Sequence, residues 1–221
     1  MLVRDRMQRE VVTVCETDTL AHAATLLARR GIRHLPVRRG ERLVGIVTDR
    51  DLRSAMPSSL TDATPQATAA LLESTPVSAI MVREVITIAP DVPLEEAARL
   101  LTLRRIGCLP VVEGERLAGI ITESDILRAF TQLLGVLEPS SRLELEIPNR
   151  PGALLALLTL LAERHGVSIT SALLSPEPGG APQRLVLRMA TMNLAPLVIT
   201  ARDAGYRVIW PPVESWMASS R

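Results

Sequence analysis

An ungapped internal repeat constrains this chain more than any other feature. Residues 3–55 align with residues 77–129, and nearly half of the paired positions are identical. The best-kept run is Gly45-Ile46-Val47-Thr48-Asp49-Arg50-Asp51, which returns as Gly119-Ile120-Ile121-Thr122-Glu123-Ser124-Asp125 after a shift of 74 residues. Met7/Met81, Arg9-Glu10-Val11/Arg83-Glu84-Val85, Leu35-Pro36-Val37/Leu109-Pro110-Val111 and Gly40-Glu41-Arg42-Leu43/Gly114-Glu115-Arg116-Leu117 repeat with it. Chance does not hold a register over that length, so the first 130 or so residues are two copies of one supersecondary unit.

Each copy of the best-kept run reads as a buried strand, a glycine and two aliphatics, entering a helix at the threonine. Thr-x-x-Asp before Leu52 or Ile126 is a capping-box pattern. The hydroxyl accepts from an orphan backbone N–H, and the acid three residues on answers it. The same arrangement collects a carboxylate, a hydroxyl and a positive helix end at a strand's C-terminal edge, where a ribose and a phosphate could sit. A helix cap and a ligand site compete here for one carboxylate.

The rest of the unit follows from periodicity. Val11 to Val14 is β-branched and extended. Asp18 or Thr19 can cap a helix whose Leu20, Ala23, Ala24 and Leu27 share one face, and Leu94, Ala97, Ala98 and Leu101 repeat that face. His34-Leu35-Pro36-Val37 is a short strand with Pro36 expected at an edge or strand start. Gly40-Glu41 turns it into a hairpin with Leu43 to Val47. Each unit is β-α-β-β-α, with a sheet too small to stand alone. Two units are expected to pack through their helices about a pseudo-twofold axis.

Residues 57–76 join the copies, with Pro57, Ser58, Ser59, Thr61 and Pro65 reading as loop and Ala67 to Glu73 as a short helix. After Phe130 the repeat ends, and a linker at 136–142 leads to a second pattern. Leu143-Glu144-Leu145-Glu146-Ile147 alternates as a half-buried strand. Pro148 to Gly152 is a turn, and Ala153 to Arg164 an apolar helix ended by His165-Gly166. Val167 to Leu174 is a strand, Pro176 to Pro182 a loop, Arg184 to Ala190 a strand, Leu194 to Ala204 a helix and Tyr206 to Trp210 a last strand. The order β-α-β-β-α-β over 143–212 is the ferredoxin-like arrangement. Residues 213–221 read as a tail. The fold class is α+β.

Composition removes several functions. All 25 basic residues are arginine, so there is no Schiff-base, P-loop or kinase lysine, and phosphate must be met by guanidinium groups. The net charge of +1 gives no general attraction to nucleic acid or anionic membrane. Four aromatics, Phe130, Tyr206, Trp210 and Trp216, are too few for a base-stacking platform. Cys15 and Cys108 form no metal spacing with His22, His34 or His165 and read as reduced, buried thiols. The longest apolar run, Ala153 to Ala162, is too short to span a bilayer, so a soluble cytoplasmic protein is expected.

The two Gly-h-h-Thr-x-x-Asp stretches with Leu35-Pro36-Val37 and Leu109-Pro110-Val111 make residues 1 to about 135 resemble a pair of cystathionine-β-synthase (CBS) domains, a Bateman module. The units are 1–56 and 77–135. The resemblance implies clefts for adenosine-containing ligands: AMP, ADP, ATP or S-adenosylmethionine. In such a pair each cleft is shared between units. One site would join Thr13, His34, Leu35 and Pro36 to Thr122 and Asp125. The other would join Thr87, Cys108, Leu109 and Pro110 to Thr48 and Asp51. The carboxylate would accept from the ribose hydroxyls, and main chain near Leu35 or Leu109 would read the adenine edge. Arg50 aligns with Ser124, so the Asp51 cleft, with Arg50 and Arg53 nearby, should tolerate phosphate better. Those arginines read equally well as a solvated helix face. His34 reads as a structural histidine rather than a catalytic one.

Asn149-Arg150-Pro151-Gly152-Ala153-Leu154, with Ile169 beyond, makes residues 143–212 resemble an ACT domain. That resemblance implies a small effector, often an amino acid, at the turn formed by Asn149, Gly152 and Ala153, where glycine permits close approach and a helix N-terminus favours a carboxylate. A purely dimerising domain is the other reading. The apolarity of Leu154 to Leu161 on every side implies burial on both sides. The combined order resembles the acetoin-utilisation AcuB-type family. It implies a regulatory homodimer without catalytic activity or cofactor, acting on a partner protein. A ligand-free oligomerisation module is the alternative. The absence of lysine, of a nucleophile–base pair and of metal spacing argues against an enzyme.

Overall fold

The structure, a computed structural model, describes residues 1–56, 64–175 and 181–212. The loop read over Pro57, Ser58, Ser59 and Thr61, most of the loop from Pro176, and the tail at 213–221 lie outside the described residues. The chain divides into two compact units, Met1–Leu127 and Arg128–Arg221.

In the first unit the repeat is visible element by element. Strand β1 (Val14–Cys15), helix α1 (Leu20–Arg30), strands β2 (His34–Arg39) and β3 (Arg42–Thr48), and helix α2 (Asp49–Ala55) form the first copy. Helix α3 (Pro65–Ser74) follows. The second copy contributes helix α4 (Leu94–Arg104), strands β4 (Cys108–Glu113) and β5 (Arg116–Thr122), and the start of helix α5 (Glu123–Leu133). Thr19, not Asp18, caps α1: its hydroxyl accepts from the His22 N–H at 3.2 Å. Thr64 caps α3 in the same way, with Pro65 in the first turn. The stripe Leu20, Ala23 and Leu27 is buried against Leu35, Val37, Val47 and Leu52. Its copy Leu94, Ala97 and Leu101 is buried too.

The copies meet through their strands. Their hairpins meet edge to edge in one five-stranded sheet of order β1-β2-β3-β5-β4, with β3 and β5 antiparallel at Arg42 and Arg116. Their leading segments are also exchanged. Gln8 bridges Ile120 of β5, while Val82 bridges Ile46 of β3. Val77 and Met81 pack into the core of the first copy. This exchange explains the glycine that opens each repeated run. A Cβ on Gly45 would lie 2.7 Å from the Met81 sulfur and 3.1 Å from the Val82 carbonyl. On Gly119 it would lie 2.7 Å from the Met7 sulfur and 2.9 Å from the Gln8 carbonyl. Only glycine lets the crossing backbone come so close.

Pro36 stands third in β2 rather than at an edge or strand start. The ring is tolerated because its partner Ile46 exchanges both backbone hydrogen bonds with Val82, at 2.9 Å each, and asks nothing of residue 36.

The second unit carries strand β6 (Ser141–Ile147), helix α6 (Ala153–His165), strands β7 (Ile169–Ser175) and β8 (Gln183–Met189), helix α7 (Ala195–Asp203) and strand β9 (Arg207–Trp210). The antiparallel sheet runs β7-β8-β6-β9, the expected β-α-β-β-α-β arrangement. Leu143, Leu145 and Ile147 face a core completed by Leu157, Leu161, Leu185, Leu187, Leu197 and Val198. Glu144, on the opposite face, is buried with Arg142 and Arg184 as ion partners. Within one chain helix α6 is covered on one side only, short of the burial on both sides expected from domain or subunit packing. Ala153, Leu157 and Leu161 are covered, whereas Leu155 is 69% exposed, because one sheet can cover only one face of the helix.

Candidate functional site

Both repeated boxes form complete helix caps. The Thr48 N–H and hydroxyl donate to Asp51 Oδ2 at 2.8 and 2.7 Å, and the Asp51 N–H donates to Thr48 Oγ1 at 3.2 Å. At the second box the same three bonds measure 3.0, 2.7 and 3.3 Å between Thr122 and Asp125. The cap therefore spends one carboxylate oxygen, Oδ2, and leaves Oδ1 outside it.

The two Oδ1 atoms have different fates. Asp125 Oδ1 accepts from the Gln8 side-chain amide at 3.2 Å, and the residue is buried. Val82 occupies the position equivalent to Gln8 beside the other box and offers no donor. Asp51 Oδ1 takes no hydrogen bond from a described residue, and Asp51 is only half-buried.

Asp51 lines a cavity of about 420 Å³. That volume lies within the range of small-molecule sites. Thr48, Asp49, Arg50, Arg33 and His34 come to it from the first copy. The second copy supplies Val85, Ile86, Arg105, Ile106, Gly107, Cys108, Pro110 and Glu123, and the exchanged segment adds Val82 and Glu84. Thr48, Arg50, Asp51, Cys108 and Pro110 thus meet as the sequence suggested. Ile46, Val82, Val85, Ile86 and Ile106 form aliphatic walls able to cover a planar ring.

Other expected members stand elsewhere. Leu35 and Leu109 are wholly buried in the cores and can offer only main chain. Thr87 is absent from the lining, where Val85 and Ile86 stand instead. Thr13 Oγ1 accepts from Arg38 Nε at 3.0 Å. His34 lines the Asp51 cavity, although the sequence grouped it with Thr122 and Asp125. It packs against Gly107, where a Cβ would lie 2.9 Å from His34 Nε2. Arg53 lies outside the lining and is held by Asp49 at 2.8 Å.

Arg33, Arg105 and Gln8 were not singled out from the sequence. For Arg105 a signal existed: it aligns with Gly31, the helix-ending glycine of α1. Gly31 has φ 61° and Arg105 has φ 54° with ψ 44°. The left-handed conformation costs a non-glycine residue on the order of 1 kcal/mol. Arg33, Arg50 and Arg105 form no ion pair or side-chain hydrogen bond among the described residues.

Proton chemistry in the cavity is quiet near neutral pH. Burial, reinforced by the Arg33 charge, holds His34 below its ordinary value, so the ring is neutral. Burial, with Glu123 nearby, pushes the Cys108 thiol up to about 12. That thiol is no nucleophile.

In the second unit Gly152 precedes α6 with φ 79°, and no side chain caps that helix. Asn149 is exposed, and Ala153 is packed into the domain. Among the described residues no group of three or more His, Cys, Asp or Glu is placed to hold a metal ion. No helix among them is long and apolar enough to cross a membrane.

A CBS domain family model matches residues 3–58 and 77–132. The chain is 34% identical over 143 residues to the CBS domain-containing protein DDB_G0289609 of Dictyostelium discoideum, a match covering 64% of this chain and 99% of that one. Among solved structures it is similar to a Vibrio cholerae protein named for acetoin utilization (AcuB), with a TM-score of 0.53 and 36% identity over 64% of this chain and 98% of the other. It is also similar to protein MJ1225 of Methanocaldococcus jannaschii, put forward as an archaeal homolog of g-AMPK. That match has a TM-score of 0.53 and 32% identity, and covers 58% of this chain and 47% of that one.

Proposed function

The chain belongs to the CBS-domain family, and on that premise we propose that it is a non-catalytic regulatory protein that binds an adenosine-containing ligand in the Asp51 cavity. The observation that carries this reading is the division of labour on one carboxylate. Oδ2 of Asp51 caps α2, while Oδ1 has no donor among the described residues, and Asp51 lines a cavity walled by aliphatic side chains. A ribose offers vicinal hydroxyl donors to such an oxygen, and a hydrogen bond to a charged acceptor contributes about 1.5–3 kcal/mol. The adenine lies between Val85, Ile86 and Ile106, with the main chain at Cys108 to Pro110 reading its edge. The likeness to a protein put forward as a g-AMPK homolog supports an adenine nucleotide.

The second unit we read as an ACT domain over 143–212, with a small amino acid at the turn of Asn149, Gly152 and Ala153. The positive φ and the absence of a side-chain cap at Gly152 support that turn as a site. The uncovered Leu155 supports pairing of two copies into a homodimer. Ligand in the CBS cavity then favours one arrangement of a cytoplasmic homodimer over another, which a partner protein reads.

Thermal melting with adenosine, AMP, ADP, ATP and S-adenosylmethionine at millimolar concentration tests the nucleotide reading. Ligand at a hundredfold excess over Kd stabilises by about 2.7 kcal/mol, a shift of several degrees. If none of the five moves the transition, the chain is a ligand-free oligomerisation module.

A further inference from the structure

The charges lining the Asp51 cavity can be compared with their repeat positions one by one. The acids are shared: Asp49 aligns with Glu123, Asp51 with Asp125 and Glu84 with Glu10. Arg33 aligns with Gly107, and both line this one cavity, so Arg33 does not separate the clefts. Two cations do. Arg50 aligns with Ser124, and Arg105 aligns with Gly31. Both line the cavity, and neither has an ion partner among the described residues.

Arg105 is the more telling of the two. It is the one non-glycine residue with positive φ among the described residues, at a helix end where the repeat uses glycine. Glycine would fit that backbone without strain, so the local fold gives no reason for an arginine. The cavity does. Asp49, Asp51, Glu84 and Glu123 line it, and Arg53 neutralises only Asp49. Without the arginines such a lining repels phosphate. With Arg33, Arg50 and Arg105 it offers three planar forks able to take phosphate oxygens in pairs. The three guanidinium groups offset the three carboxylates that Arg53 leaves unneutralised, and their forks together offer more paired donors than the three oxygens of a monophosphate can fill, which suits a di- or triphosphate.

We propose that Arg105 and Arg50 set this cleft to nucleotides carrying two or more phosphates, with Arg105 as the specificity-determining residue. The inference rests on the adenosine-ligand reading above and adds phosphate number to it.

Calorimetric titration of the full chain with adenosine, AMP, ADP and ATP tests it, using wild type, Arg105→Gly and Arg50→Ser. Each substitution restores the residue of the other copy, and Arg105→Gly relieves a strained backbone, so folding is kept. Wild type is expected to bind ADP and ATP about tenfold or more tighter than AMP. Arg105→Gly is expected to remove that preference and leave adenosine affinity unchanged. Arg50→Ser is expected to reduce the preference. Equal affinity of wild type for AMP and ADP overturns the inference alone. So does an Arg105→Gly protein that loses all four ligands in proportion. Silence from all four ligands overturns it together with the nucleotide reading.

Discussion

The Asp51 and Asp125 boxes carry the same cap and different surroundings. Every bond that starts helix α2 has its counterpart at α5, within 0.2 Å by the distances above. Outside the cap the copies part. Asp51 lines a cavity whose Arg33, Arg50 and Arg105 have no ion partner among the described residues, and Asp125 gives its second oxygen to Gln8. The two copies agree in the bonds that start their helices and differ at Gln8/Val82, Arg50/Ser124 and Gly31/Arg105 around them. A repeated motif is thus evidence for a fold in both copies and for a site only where its surroundings leave an atom free.

The largest expected effect is on binding. Asp51→Ala should weaken nucleotide binding about a hundredfold, whereas Asp125→Ala should leave it nearly unchanged. Both should lower stability by about 1 kcal/mol through the lost cap. Titration calorimetry beside thermal melting separates the two effects, and a reversed order of the mutants would invert the comparison.

Next come the glycines that admit the crossing segments. Gly119→Ala drives a methyl against the Gln8 carbonyl at 2.9 Å, and Gly45→Ala meets the Val82 carbonyl at 3.1 Å. Each should cost about 1–3 kcal/mol in a denaturant melt, with Gly119→Ala the worse. Equal and negligible costs would show that the crossings are loose.

Gln8→Val places beside Asp125 the residue that stands beside Asp51. The loss of one hydrogen bond to a buried carboxylate should cost about 1 kcal/mol in a denaturant melt and leave nucleotide binding at Asp51 unchanged. A cost near zero would mean that the Gln8 contact does not distinguish the two boxes.

The smallest effect concerns pH. His34 faces Arg33, Asp49, Asp51 and Glu123, and burial with Arg33 depresses its pKa below the ordinary 6.5. Below that pH the unfolded chain takes up a proton that the folded ring refuses, so stability falls as pH drops toward the folded value and levels beneath it. His34→Gln should flatten this slope in melts between about pH 7 and pH 5. A slope that survives the substitution would assign it to other groups.

Much of the fold was legible because it is written in short-range patterns. The stripe Leu20, Ala23, Leu27 specifies a helix face, and Thr19, Thr48 and Thr122 cap helices through atoms three residues away. The alternation Leu143, Leu145, Ile147 specifies a strand with one buried face. In the site, Thr48, Asp51, Cys108 and Pro110 were legible because the repeat marks them. Gln8 was not, since its partner Asp125 is 117 residues away. Nor was the reason for Gly45 and Gly119, which lies in the chain that crosses them. That His34 lines the Asp51 cavity was not legible, because residues near the junction of two copies can border both halves. How much of Leu155 one chain covers was not legible either, because composition shows that a helix is apolar but not which neighbours will cover it.

The sequence by itself determined that this chain holds two like units and a third unlike one, and where their helices begin. Those properties depend on hydrogen bonds and side-chain spacings within a few residues. Only the tertiary structure decided that the leading segments cross between copies. The same crossing puts a valine at the position beside the Asp51 box and a glutamine beside Asp125, so Asp125 Oδ1 has an amide donor and Asp51 Oδ1 has none among the described residues. That outcome depends on which distant backbone passes the box, a matter of packing that no local pattern encodes.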